Sequence, residues 1–147
     1  MSHTPASIVL DTSVAIKWFF KEPYEKEALL LRDAFRKGLC FLFAPDLIYP
    51  EFANTIWKRV NFYNLSPEEG IQIVRTFQRV PLEIVASRNL LEEAFSIAVQ
   101  YKCAVYDALF LALSNERSCQ IITADRRFYE AVSVTFPNMI WIEKFKV

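Results

Sequence analysis

The sequence predicts an α/β fold with a mainly parallel sheet covered by helices on both faces. Two observations carry this. Short apolar runs alternate along the chain with segments of helical periodicity, and that alternation implies right-handed crossovers between parallel strands. The strand runs are nearly continuous in apolar residues, as strands buried on both faces are. With 147 residues, the chain suits one domain spanning 1–147, with residues 1–6 expected as a disordered lead.

Each element has its own signal. Ser7 to Leu10 (SIVL) reads as a buried strand that stops at Asp11. Thr12 to Phe20 is a short helix, halted near Pro23. From Tyr24 to Lys37, apolar residues at Ala28, Leu31, Ala34 and Phe35 form a helical stripe. Gly38 is its C-terminal stop. Cys40 to Ala44 is the second strand. Leu47 to Asn61 is a longer helix, and Pro50 falls in its first turn, where a missing N–H costs nothing. Ser66-Pro67-Glu68-Glu69 is a capping box opening a helix that runs to Arg79. Leu82 to Val85 is the third strand. Asn89 to Tyr101 and Tyr106 to Glu116 are helical. Gln120 to Thr123 is the fourth strand, Arg126 to Val134 a helix, and Met139 to Ile142 the last strand.

Composition removes whole classes of function. Lys+Arg and Asp+Glu are 17 each, so a whole-surface basic footprint for nucleic acid is excluded, though a local patch is not. A hydrophobic content of 53% is incompatible with intrinsic disorder. No uncharged run approaches the ~20 apolar residues of a membrane-spanning helix. The opening MSHTPAS lacks the pattern of a secretory signal, so a cytoplasmic protein is expected. Cys40, Cys103 and Cys119 form no C-x-x-C pair and sit in apolar contexts, as core residues of a reducing compartment. The only histidine, His3, lies in the expected lead, which argues against a Ser-His-Asp triad or a Cys/His zinc site. The two glycines, Gly38 and Gly70, do not stand at the spacing of a phosphate-cradling loop. Catalysis must rest on carboxylates, hydroxyls or amides.

Four carboxylates stand where such chemistry would form. Asp11 and Asp125 follow the first and fourth strands, in VLDTSVAIKWF and IITADRRFY. Glu51 and Asp107 lie near helix starts, in PEFANTIWK and VYDALFLALS. Singly, each could cap a helix or favour its N-terminus. Together they meet at one rim, because in parallel sheets sites form outside the carboxyl ends of the strands. Clustered carboxylates repel unless a cation joins them. The natural partner is a hard divalent ion, Mg²⁺ or Mn²⁺, which can position water against a phosphodiester.

Taken in order, those four segments resemble the signature segments of PIN domains, and most closely those of VapC-type ribonuclease toxins of VapBC toxin–antitoxin systems. The resemblance runs from Ile8 to Ile142. It implies a three-layer α/β/α fold with a central, mainly parallel sheet of four to five strands. It also implies a metal-dependent endoribonuclease acting on RNA, an antitoxin partner of VapB type, and a homodimer. It carries catalytic roles to Asp11, Glu51, Asp107 and Asp125, with Asp11, Asp107 and Asp125 as metal ligands and Glu51 binding through or orienting a water. Ser13, Asn54 and Thr123 match positions that hold those carboxylates or water. Many relatives carry a further acid after the last Asp, where this chain has Arg126 and Arg127. One tightly bound ion is therefore expected.

Among the nearby bases, Arg126, Arg127 and Lys17 are the expected substrate contacts, since local charge steers RNA even at zero net charge. Trp18, Phe19 and Phe20 cannot all face one core from a short helix, so an apolar surface patch for a homodimer or an antitoxin peptide is expected there. Two other readings of the chain are a non-catalytic PIN-type protein that binds RNA or a partner, and a phosphatase of the Asp-x-Asp type. Ser13 in place of the second Asp weakens the latter. Without the four acids, 13 of the 17 acids remain against 17 bases, so the neutral total conceals an acidic pocket in a mildly basic exterior.

Overall fold

The structure, a computed structural model, describes residues 4–146. His3 and the first half of the expected lead lie outside the described residues. Strand β1 (Ala6–Leu10) starts one residue earlier than its apolar run, because Ala6 already pairs with Cys40. The other strands are β2 (Cys40–Pro45), β3 (Glu83–Val85), β4 (Gln120–Thr123) and β5 (Met139–Trp141). All pairings are parallel, in the order β3-β2-β1-β4-β5. β1 and β4 occupy the middle, and Val9, Leu10, Ile121 and Ile122 are fully buried. That burial explains why these strands read as unbroken apolar runs.

Seven α-helices lie among the described residues: α1 (Thr12–Ala15), α2 (Glu25–Arg36), α3 (Ile48–Phe62), α4 (Pro67–Gln78), α5 (Leu91–Tyr101), α6 (Val105–Arg117) and α7 (Arg126–Val132). They complete a three-layer α/β/α architecture. α6 packs on β1, β2 and β4 and is buried from Ala108 to Ser114. Its apolar sequence is that of a central core helix. No single described helix is long and apolar enough to cross a membrane, and α5 and α6 meet at a 117° bend.

Local chemistry sets the element ends. Gly38, at φ +74°, closes α2. The Gly38 N–H donates to Phe35 O and the Leu39 N–H to Ala34 O, the paired bonds of a Schellman stop. Ser66 accepts the Glu69 N–H at 3.1 Å, as the capping sequence requires. Gly70 lets α4 lie close on α3, where an added Cβ would meet Val60 at 3.1 Å. Phe52 and Phe77 stack across this pair with centroids 4.0 Å apart.

Several expectations are corrected. The helix expected over Thr12 to Phe20 is one α-turn followed by a 3-10 turn, Ile16–Trp18. α7 ends at Val132, two residues short, and Ile142 leaves β5 to open a 3-10 turn. At Trp18 to Phe20 the rings are largely packed, and Trp18 and Phe19 line the wall of a surface groove rather than an open patch. Trp18 is buried and donates to Ala28 O, Phe19 packs edge-on to Phe52 and Phe77, and Arg59 covers the Phe20 ring. The tighter 3-10 turn rotates these rings into contact with α2, α3 and α4.

Candidate active site

Strand order reverses at β1, where chain goes to β2 on one side and β4 on the other. Such a switch point leaves a crevice at the carboxyl ends of the strands. Asp11 stands there, directly after β1. Its N–H bonds to Ile122 O at 3.3 Å, continuing the pairing with β4. Asp11 occupies the N-cap position of α1, yet its side chain makes no cap bond. The carboxylate, buried to 5% exposure, accepts instead from two hydroxyls. Ser13 Oγ donates to Oδ2, and Thr123 Oγ1 donates to the same oxygen at 2.9 Å.

Those hydroxyls also serve the far strand. Ser13 Oγ accepts the Ala124 N–H at 2.9 Å, and Thr123 Oγ1 accepts the Asp125 N–H at 3.1 Å. The ends of β1 and β4 are thereby stitched together around Asp11. Asp125 has two connections, since its Oδ1 accepts the Phe128 N–H at 3.1 Å and caps α7. The capping explanation is therefore true of Asp125 and untrue of Asp11.

Glu51 sits in the first turn of α3 and accepts from Thr12 Oγ1 at 2.8 Å. Asp107 sits in the first turn of α6. All four carboxylates line one cleft of about 300 Å³, with Thr12, Ser13, Ile16, Asn54, Thr55 and Lys58. Burial, the Coulombic push of Asp125 and the opposing hydrogen bonds of Ser13 and Thr123 leave Asp11 with a raised pKa. Glu51 is pushed up to about 7, first by burial, then by Asp11 and Asp107 against the Thr12 bond. Asp107 is pushed up to about 6 by burial, then by Asp11 and Asp125. Burial and mutual repulsion thus favour the protonated acids until a cation joins them.

The donor set is all oxygen, which fits a hard divalent cation such as Mg²⁺ or Mn²⁺. Among the described residues, no three Asp, Glu, Cys or His side chains close tightly enough to enclose an ion by themselves. The three-carboxylate ligand set expected of Asp11, Asp107 and Asp125 is therefore not closed in this structure.

The expected substrate contacts are placed differently. Lys17 does not line the cleft. Its ammonium is buried against Glu22 at 3.0 Å, and Arg59 bonds the same carboxylate. Arg126 and Arg127 are exposed beside Asp125 and do not line the cleft either. Arg126 lies over the Trp141 ring at 4.6 Å. Among the described residues, Lys58 is the one cation lining the cleft. Thr55 and Lys58 lie four and seven residues after Glu51, a helical spacing that could have identified them. Thr12 was likewise visible beside Asp11, but its bond to Glu51 joins residues 39 positions apart.

The sequence profile of the PIN domain matches residues 8–133. The chain belongs to the PIN domain family. Ribonuclease VapC3 of Pyrobaculum aerophilum is 28% identical to it over 97 residues, 65% of this chain and 71% of the relative. Among solved structures, PAE2754 from Pyrobaculum aerophilum superposes with a TM-score of 0.70 at 15% identity, over 95% of this PIN domain chain and 93% of the other. A toxin–antitoxin complex from Klebsiella pneumoniae gives 0.63 at 13% identity, over 95% and 99%. VapC20 of Mycobacterium tuberculosis, described as a sarcin-ricin loop cleaving toxin, gives 0.62 at 14% identity, over 85% and 95%. At these identities the structural likeness is one of fold.

Proposed function

We propose that this PIN domain is a metal-dependent endoribonuclease hydrolysing RNA phosphodiester bonds, the toxin of a VapC-type toxin–antitoxin pair. One observation carries the reading: carboxylates from four separate elements line a single cleft whose excess negative charge matches a divalent cation. The ribonuclease name of the 28% identical relative supports it. An RNA substrate also places the work in the cytoplasm.

Asp11, Asp107 and Asp125 would hold Mg²⁺ or Mn²⁺ in part through bridging waters, and with Arg126 and Arg127 following Asp125 the ligands suffice for one ion. The ion would neutralise charge on the phosphodiester and lower the pKa of a bound water. Ser13 and Thr123 fix the Asp11 carboxylate, as outer partners of metal ligands do. Thr12 aims Glu51, whose pKa near neutrality suits it to take a proton from the attacking water.

Two surfaces suit the expected partners. An apolar groove of about 780 Å³ runs past Trp18, Phe19, Phe35 and Val80, edged by Arg32, Arg36 and Arg79. It would take an amphipathic segment of a VapB-like antitoxin, in keeping with the Klebsiella pneumoniae complex. Leu91, Phe95 and Val99, spaced four apart on α5 and exposed, form a stripe fit for a homodimer.

Incubation of the purified protein with RNA and Mg²⁺ or Mn²⁺ tests the activity. Cleavage is expected, lost in Asp11→Asn. Equal cleavage by that variant overturns the site, and RNA binding without cleavage assigns the chain to the non-catalytic alternative.

A further inference from the structure

Helix α3 does more than deliver Glu51. Its cleft-facing side continues through Asn54, Thr55 and Lys58. Lys58 stands seven residues beyond Glu51, about 10 Å along the helix axis. That offset along the cleft places its ammonium to meet a phosphate flanking the one at the carboxylates. Three other bases nearby are engaged elsewhere, Lys17 and Arg59 with Glu22 and Arg126 with Trp141, and Arg127 does not line the cleft.

Beside Lys58 stands Trp57, 54% exposed, with its ring edge-on to the exposed Phe62 at 5.9 Å. The other two tryptophans, Trp18 and Trp141, are buried. A cation alternating with an exposed aromatic plane is how proteins hold single-stranded nucleic acid, the one on phosphate and the other stacked on a base.

We propose that α3 is the track along which single-stranded RNA leaves the cleft, with Lys58 on a flanking phosphate and Trp57 stacked on a base. The proposal rests on the nuclease reading above and adds the path of the substrate. A protein partner fits this face less well, because lysine is depleted from the centres of protein interfaces, whereas here it lines the cleft and the exposed tryptophan follows on the adjoining side of the helix.

The experiment uses the full chain carrying Asp11→Asn and a short fluorescein-labelled single-stranded RNA. Binding is measured by anisotropy between about 50 and 200 mM salt. Adding Lys58→Ala lowers the slope of log Kd against log salt by about 0.7, the signature of one lost phosphate contact on a single strand. Adding Trp57→Ala raises Kd about 5- to 150-fold, the loss of one stacked base, while Trp57→Phe restores most of the affinity. Both positions are exposed, and circular dichroism checks that the variants fold. If the wild-type chain cleaves RNA but neither substitution changes Kd or slope, the track is overturned and the nuclease stands. If Trp57→Ala changes the mass by light scattering and leaves Kd unchanged, the track is overturned and the face belongs to self-association. If the wild-type chain neither binds nor cleaves RNA, the nuclease reading and the track fall together.

Discussion

Thr123 and Asp11, 112 residues apart, are joined by a 2.9 Å hydrogen bond from the threonine hydroxyl to the carboxylate. The same hydroxyl accepts the Asp125 N–H, so one oxygen orders two of the four acids. Thr123→Val keeps the shape and removes both bonds. It raises the half-saturating Mn²⁺ concentration for cleavage by about 10- to 100-fold, the usual loss on removing an outer partner of a metal ligand. A Mn²⁺ titration of initial rates measures this, and an unchanged midpoint refutes the role.

Stability should fall as pH rises. Asp11, Glu51 and Asp107 have raised pKa values in the folded state, to about 7 for Glu51 and about 6 for Asp107. The folded chain therefore holds protons that the unfolded chain has released, and the unfolding free energy decreases with pH across that window. The contribution is complete below the unfolded carboxylate values and gone once pH passes the folded ones. In chelator, the melting temperature drops between about pH 5 and pH 8, and Glu51→Gln flattens that drop. Saturating Mg²⁺ raises the melting temperature at the upper end, because it binds only the folded site.

Phe77 is 1% exposed and stacked on Phe52, one residue from Glu51. Phe77→Ala opens a cavity between α3 and α4 and destabilises by about 3–5 kcal/mol. Denaturant unfolding measures the loss. Cleavage under folding conditions falls as well, since α3 loses the support that holds Glu51 toward Thr12.

Lys17 separates charge near the site from charge used on substrate. Its ammonium is buried on Glu22, so Lys17→Ala lowers stability by about 1–2 kcal/mol. The salt dependence of RNA affinity stays unchanged. A shallower salt slope in this variant would return Lys17 to the substrate surface.

The four acids were legible because each marks a boundary the sequence displays. Asp11 ends an apolar strand, Asp125 follows another, and Glu51 and Asp107 sit in first turns. The parallel sheet was legible too, and its carboxyl rim followed from it. What the sequence concealed was rotation. A 3-10 turn at Ile16–Trp18 advances each residue more than an α-turn. Lys17 thus turns to Glu22, and the aromatic run packs against α2, α3 and α4 while Trp18 and Phe19 still line a groove. The bond between Thr12 and Glu51 needs the spatial neighbourhood of α1 and α3, which no local pattern encodes. Ser66, by contrast, behaves as its four-residue pattern states, because capping is decided within one turn.

The strand order has a bearing on biosynthesis. β4 comes late in the chain but inserts beside β1, at the centre of the sheet. Until Thr123 and Asp125 have left the ribosome, Asp11 lacks one of its two hydroxyl donors and β1 lacks a neighbour on one side. An unfinished chain therefore holds the first three acids without the framework that gathers them. Abortive translation products carry no assembled cleft, and a cell producing this protein meets its chemistry only after synthesis has passed that point.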